Sequence, residues 1–107
     1  GKPIIFDVKC SRRLAQTIQD CGGIPVMNRS GHSFMKQRMQ ETSAPLGGEF
    51  AAHIFIKDRW FGFDDGLYTA ARLLEILSKS TQSVEAQFAR LPSAFTTPEI
   101  KILVNEE

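Results

Sequence analysis

Apolar positions along the chain fall into short continuous runs and helical stripes that follow one another. Residues 4–8 form an apolar run broken only by Asp7, which is typical of a strand buried on both faces. Leu14, Ala15 and Ile18 recur at the spacing of one helical face. The whole pattern predicts strands at 4–8, 24–28, 52–56 and 100–104, and helices at 12–21, 33–42, 66–78 and 84–91.

Capping and turn residues lie at the ends of these predicted elements. Ser11 is placed to cap the first helix, and Gly22 follows its end. Asp64 or Asp65 is placed to cap the third helix. Residues 44–48 read Ala-Pro-Leu-Gly-Gly, which predicts a turn.

The second helix has two candidate caps, Ser30 and Ser33, and carries Met35 and Met39 on its inner side. Pro25 predicts either the start of the second strand or an edge position for it, since proline cannot donate to a strand ladder.

The order of elements, βαβαβααβ, predicts an α/β fold. We expect a single three-layer domain over 1–107, with a small mixed four-stranded sheet and helices packed on its faces. The first two strands, joined by a helix, should be parallel.

Composition and charge exclude several classes of partner. The 107 residues are 42% hydrophobic, which allows a real core, and 13 basic against 12 acidic residues give a net charge of +1. We therefore expect no general binding to nucleic acid or to a membrane surface.

Cys10 and Cys21 flank a predicted helix about 16 Å long, too far apart for a disulfide. Free thiols favour a cytoplasmic location.

Charged and imidazole side chains follow the predicted strand ends. These residues are Lys9, His32, Glu49 and His53. Ligands of α/β sheets bind at the carboxyl ends of strands, so the four would form one site if strand 52–56 runs antiparallel. Each also has a purely structural interpretation: a solvated lysine, a histidine at a helix start, a turn glutamate and a packed histidine.

Other chemistries fit the sequence less well. A phosphatase loop beginning at Cys10 would need an arginine where Gln16 stands. The histidines and acids lack the spacing of a metal site, and no glycine-rich phosphate loop is present. The segment from Lys57 to Trp60 is basic and aromatic, but packing by Trp60 and the following phenylalanines is the better interpretation than nucleic-acid stacking.

Five motifs occur in order over nearly the whole chain: Phe6-Asp7-Val8-Lys9-Cys10-Ser11-Arg12-Arg13-Leu14, Ser30-Gly31-His32-Ser33, Gly48-Glu49-Phe50-Ala51-Ala52-His53, Arg59-Trp60-Phe61-Gly62-Phe63-Asp64-Asp65-Gly66-Leu67-Tyr68 and Thr96-Thr97-Pro98-Glu99-Ile100. Together they closely resemble the alpha-D-phosphohexomutases and their bacterial phosphomannomutase/phosphoglucomutase branch.

This resemblance implies that the chain is the third, sugar-recognition domain of a four-domain enzyme. The family interconverts hexose 1-phosphate and hexose 6-phosphate, of mannose or glucose, through a phosphoserine and a bisphosphorylated sugar. The phosphoserine, the magnesium loop and the phosphate-binding domain belong to the rest of the parent chain. We therefore expect no catalytic residue and no metal in this fragment, which alone should be inactive.

Position by position, Glu49 matches the acid that accepts from the sugar 3- and 4-hydroxyls, and His53 matches the loop histidine. Lys9 and His32 match substrate contacts in the same cleft. The usual loop is Gly-Glu-Met-Ser-Gly-His, so Ala51 replaces its serine and Ala52 its second glycine. These departures leave an alternative, a free-standing α/β interaction module without a sugar site.

Overall fold

The structure, a computed structural model, describes residues 1–91 and 95–105. Eight helices and strands lie within this part of the chain. In order they are β1 (Pro3–Asp7), α1 (Arg12–Asp20), β2 (Ile24–Asn28), α2 (His32–Thr42), β3 (Leu46–Gly48), β4 (Ile54–Ile56), α3 (Gly66–Lys79) and α4 (Val84–Ala89).

The strands form one mixed sheet in the order β2-β1-β3-β4. β1 pairs in parallel with both β2 and β3, whereas β3 pairs antiparallel with β4. β2 is an edge strand, one of the two alternatives predicted from Pro25. The predicted α/β class and the four-stranded mixed sheet are confirmed.

The core lies between the sheet and α2. The register aligns Ile5, Gly47 and Phe55 across β1, β3 and β4, on one face. There they pack with Met35 and Met39, and Ile5, Met35 and Phe55 are fully buried. Gly47 lets the helix approach, because a Cβ at this position would lie 2.8 Å from the Met39 sulfur.

The opposite face of the sheet carries Ile4, Leu46 and Ile56 in register. It is covered by α1, whose Ile18 is buried, and by α3. The α3 side is loose, since no residue of that helix is buried. A groove of about 520 Å³ remains between α3 and the sheet, lined in part by Leu73 and Ile76. This completes the expected three layers.

One turn and one strand were predicted wrongly, and another strand is shorter than predicted. The segment 44–48, predicted as a turn, contains β3, and the predicted strand 52–56 is confirmed only over β4. Residues 100–104, predicted as the last strand, form no strand, and Ile100, Ile102 and Val104 are 74%, 79% and 81% exposed. Alternation alone did not suffice, because a strand also needs a neighbour to pair with. The observed order is therefore βαβαββαα.

The predicted helices are confirmed with small shifts of their ends. Ser11 accepts from Arg13 N and caps α1, and Asp65 accepts from Tyr68 N and caps α3. For α2 neither serine is the cap; Gly31 occupies that position without a side-chain contact. The predicted fourth helix 84–91 ends earlier, at Ala89. Part of the loop predicted at 92–98 lies outside the described residues.

None of the helices within 1–91 and 95–105 has the length and apolar character needed to cross a bilayer.

Candidate functional site

All four predicted site residues lie at the edge of the sheet where the parallel strands β1, β2 and β3 end. This edge runs across the strand ends and is distinct from the lateral edge strands β2 and β4. Lys9 follows the end of β1, His32 opens α2 just beyond β2, and Glu49 directly follows β3. His53 directly precedes β4. Because β4 runs antiparallel to β3, its start lies where β3 ends. The orientation required for a common site is therefore confirmed.

Glu49 reaches across to the start of α2. Its Oε2 accepts a hydrogen bond from the Gly31 N–H at 2.9 Å. Gly31 is the N-cap of this helix and His32 its first residue, so the contact brings the carboxylate to the residue that precedes His32. A helix N-terminus carries partial positive charge, so the Glu49 carboxylate lies in a favourable electrostatic environment. One of its two oxygens has no hydrogen-bond donor within the described residues.

The segment from Glu49 to His53 is a closed loop. Glu49 N donates to His53 O at 2.9 Å, and Ala52 N donates to Glu49 O at 3.0 Å. Closing the loop requires a left-handed backbone at Ala52, where φ is +67°. A Cβ is disfavoured in this conformation by roughly 1–2 kcal/mol, so Ala52 is a strained residue.

His53 is paired with an acid from the next loop. Its Nδ1 lies 2.7 Å from Asp64 Oδ2, and both side chains are partly exposed. Asp64 is placed there by an isolated bridge to Phe55. With Nδ1 directed to the carboxylate, the other ring nitrogen of His53 is the one available to a ligand.

Aromatic and charged contacts attach the loop at 58–65 to α3. Trp60 stacks on Tyr68 with ring centroids 4.3 Å apart, which confirms its predicted packing role. Arg59 forms an ion pair of 2.9 Å with Glu75. The packing prediction was only partly right, because the phenylalanines at 61 and 63 stack on each other but are 68% and 57% exposed.

Lys9 lies beside the loop from Glu49 to His53. It lines a cavity of about 280 Å³ together with Phe50 and the segment 96–99. Its Nζ lies 3.7 Å from the Glu99 carboxylate, and both side chains are substantially exposed. Such an exposed pair is weak, so an anionic ligand can compete with Glu99 for the lysine.

Asp7, the last residue of β1, is fully buried and was not among the predicted site residues. Its carboxylate accepts from Cys10 Sγ at 3.0 Å, from Ser30 Oγ at 2.8 Å and from Phe50 N at 3.1 Å. Burial raises the pKa of Asp7, but these hydrogen bonds and the Lys9 charge outweigh it and leave the pKa below its usual value. A single acid inside an apolar run was the signal, because a buried charge needs partners.

Cys10 is a partner of Asp7 rather than a nucleophile. Burial, followed by the hydrogen bond to Asp7, raises the pKa of this thiol to about 11. The thiolate required of a nucleophile is therefore disfavoured at neutral pH.

The described residues also contain no group of three or more His, Cys, Asp or Glu side chains that could hold a metal.

A sequence model of the family described as phosphoglucomutase/phosphomannomutase, alpha/beta/alpha domain III, matches residues 1–95. The chain belongs to this domain III family.

Curated relatives of this domain III chain carry matching names. A phosphomannomutase/phosphoglucomutase of Pseudomonas aeruginosa is 56% identical over 107 residues, which is all of this chain and 23% of the relative. A phosphoglucomutase of Neisseria meningitidis is 51% identical over 106 residues, covering 99% of the chain and 23% of the relative. The chain thus spans about a quarter of the length of these relatives.

Among solved structures, a phosphoglucomutase/phosphomannomutase family protein from Burkholderia thailandensis has the same fold. It superposes with a TM-score of 0.86 at 53% identity, over 92% of this chain and 21% of that one. As with the curated relatives, the domain III chain corresponds to a minor part of a longer protein.

Proposed function

We propose that this chain is the sugar-recognition domain of a phosphohexomutase. The parent enzyme would be an intramolecular phosphotransferase that interconverts the 1- and 6-phosphates of mannose or glucose. The observation that carries the proposal is the shared sheet edge of the four side chains, with Glu49 fixed to the start of α2. The names of relatives at 56% and 51% identity support the substrate class.

The chemistry of the edge suits a hydroxylated anion. Glu49 holds the Gly31 N–H with one oxygen, and a carboxylate can accept further bonds from neighbouring sugar hydroxyls. Lys9 supplies a mobile positive charge for a phosphate. His53, tied to Asp64 through Nδ1, presents its second nitrogen to the bound sugar.

The chemical steps belong elsewhere in the parent chain. We place the phosphoserine, the magnesium loop and the phosphate-binding domain outside this fragment, in a cytoplasmic protein whose other domains close the cleft. On this account no residue here is catalytic, and the isolated chain binds hexose phosphate weakly without turning it over.

An NMR titration tests the proposal. Glucose 1-phosphate or mannose 1-phosphate added to the 15N-labelled chain should shift the signals of Lys9, His32, Glu49 and His53. Inorganic phosphate at the same concentration is the control and should spare the Glu49 loop. Shifts confined to other surfaces, or no shifts with any hexose phosphate, would favour the interaction-module alternative.

A second assay separates recognition from turnover. The same sample with glucose 1-phosphate, glucose 1,6-bisphosphate and magnesium should show no glucose 6-phosphate by 31P NMR. Formation of product by the 107-residue chain would contradict the assignment of all catalytic groups to other domains.

A further inference from the structure

The fully buried carboxylate of Asp7 lies beneath the candidate site, and within the described residues it accepts no hydrogen bond from any of the four site side chains. Its three hydrogen-bond donors come from three different segments. Cys10 belongs to the turn after β1, Ser30 to the loop after β2, and Phe50 to the loop after β3. Asp7 is thus the point at which three strand-end segments meet.

Each donor is close in sequence to a proposed site residue. Cys10 directly follows Lys9, and Phe50 directly follows Glu49. Ser30 stands two residues before His32. Fixing the three donors to one carboxylate therefore fixes the backbones that carry three of the four side chains.

These contacts are of a kind that holds geometry well. Hydrogen bonds to an ionised carboxylate are shorter and stronger than those between neutral groups. Because Asp7 has no exposed surface, water does not compete for its oxygens. The bond from Gly31 to Glu49 joins two of the same segments a second time.

From this arrangement we propose that Asp7 is a positioning residue that sets the mutual spacing of Lys9, His32 and Glu49 for hexose phosphate. The proposal rests on the proposed function, since the spacing matters only if the edge binds a sugar. Asp7 itself makes no ligand contact; it acts through the three backbones.

A purely structural role would make a different prediction. In that case Asp7 would matter only for stability, and any equally destabilising substitution would affect binding to the same extent. Ile18→Ala offers the matched control. Ile18 belongs to α1 and is buried on the other face of the sheet, near Ile4 and Gly23, away from the carboxyl ends of the strands.

The test compares wild type, Asp7→Asn and Ile18→Ala, with α-D-glucose 1-phosphate as ligand, at a temperature where all three are folded. Asp7→Asn should weaken binding by about 10-fold or more, the factor that a misplaced charge-assisted hydrogen bond gives. Ile18→Ala should bind within about 2-fold of wild type. Equal affinities of Asp7→Asn and wild type, or equal losses in both variants, would overturn the proposal.

Two measurements on the ligand-free chain test whether Asp7 connects the three segments. In Asp7→Asn the amide signals of Gly31 and Phe50 should move, and iodoacetamide should alkylate Cys10 faster at pH 8. Cys21, which is exposed, is the internal reference for alkylation. Unchanged amides and an unchanged Cys10 rate would refute the linkage.

These readouts also separate the two proposals. If wild type gives no titration with the sugar phosphate, the proposed function fails, while the amide shifts still decide whether Asp7 links the loops. If Asp7→Asn does not fold, Ser30→Ala removes a single donor from the same carboxylate. It should weaken binding by about 3-fold, and wild-type affinity in this variant would contradict the proposal.

Discussion

Two carboxylates hold the candidate site together, and they do so in opposite environments. Asp7 is fully buried and accepts from three segments of the chain. Asp64 has a side chain 36% exposed, and His53 is its side-chain partner within residues 1–91 and 95–105. The first half of the site is therefore part of the fold, and the second is a surface contact.

The comparison shows that burial decides what a polar contact is worth. A donor deprived of a buried acceptor loses its partner without water to replace it. An exposed ion pair is hydrated on both sides, and its loss is small. We therefore expect stability to respond strongly to changes at Asp7 and weakly to changes at Asp64.

Replacing Asp7 by alanine should have the largest effect on folding. The variant leaves the Ser30 hydroxyl and the Phe50 N–H without their acceptor, at a cost of about 3 kcal/mol. Urea unfolding followed by circular dichroism measures this. A loss below about 1 kcal/mol would remove the contrast between the two carboxylates.

Lowering the pH should remove the stabilisation that the ionised Asp7 provides. The pKa of Asp7 is lowered in the folded chain from an ordinary value of 3.8, so the unfolded chain takes up its proton first. The stabilisation by Asp7 is complete above the unfolded pKa and is lost as pH falls through the lower folded pKa.

Asp7→Asn has no such proton to bind, so its stability should fall less between pH 6 and pH 3. Urea midpoints at the two pH values, for variant and wild type, make the measurement. Parallel losses in both proteins would show that other carboxyls cause the acid sensitivity.

The loop from Glu49 to His53 joins the part of the site held by Asp7 to the part held by Asp64, and its backbone is strained at Ala52. Because φ there is +67°, Ala52→Gly should stabilise the chain by about 1 kcal/mol, the left-handed penalty less the greater entropy of unfolded glycine. Thermal unfolding gives the value. Ala51→Gly, at the neighbouring position without positive φ, is the control and should destabilise or leave stability unchanged.

Asp64→Asn should have the smallest effect on stability, within about 0.5 kcal/mol, because its partner is exposed. The change should instead appear in the His53 ring, whose 15N shifts report which nitrogen carries the proton. A destabilisation as large as that of Asp7→Ala would mean that burial does not distinguish the two halves.

Much of the fold could be predicted from local pattern. The stripe of α1 and the caps Ser11 and Asp65 are determined by neighbouring residues, and they were found. β3 was missed because Leu46-Gly47-Gly48 after a proline reads as a turn. Gly47 is needed there for close packing against Met39, which depends on residues distant in sequence.

The residues of the candidate site were likewise predictable from the sequence only where local pattern determines them. Lys9, His32, Glu49 and His53 could be gathered because all four flank predicted strands, and the antiparallel β4 brings them to one edge. Asp7 could not be linked to Ser30 or Phe50, because those contacts span 23 and 43 residues. Such contacts depend on sheet order, which the sequence pattern left undetermined.

In the function proposed above, Glu49 recognises the hydroxyls of the sugar in a hexose phosphate. The direct test measures Kd for glucose 1-phosphate and for its 4-deoxy analogue, with wild type and with Glu49→Gln. Glutamine keeps an oxygen for the Gly31 N–H, but its amide nitrogen cannot accept from a hydroxyl.

We predict that wild type binds the deoxy analogue about 10-fold more weakly, as expected for a lost hydrogen bond to a charged group, and that Glu49→Gln binds both ligands almost equally. The same ratio of affinities in both proteins would show that Glu49 does not recognise the sugar hydroxyl.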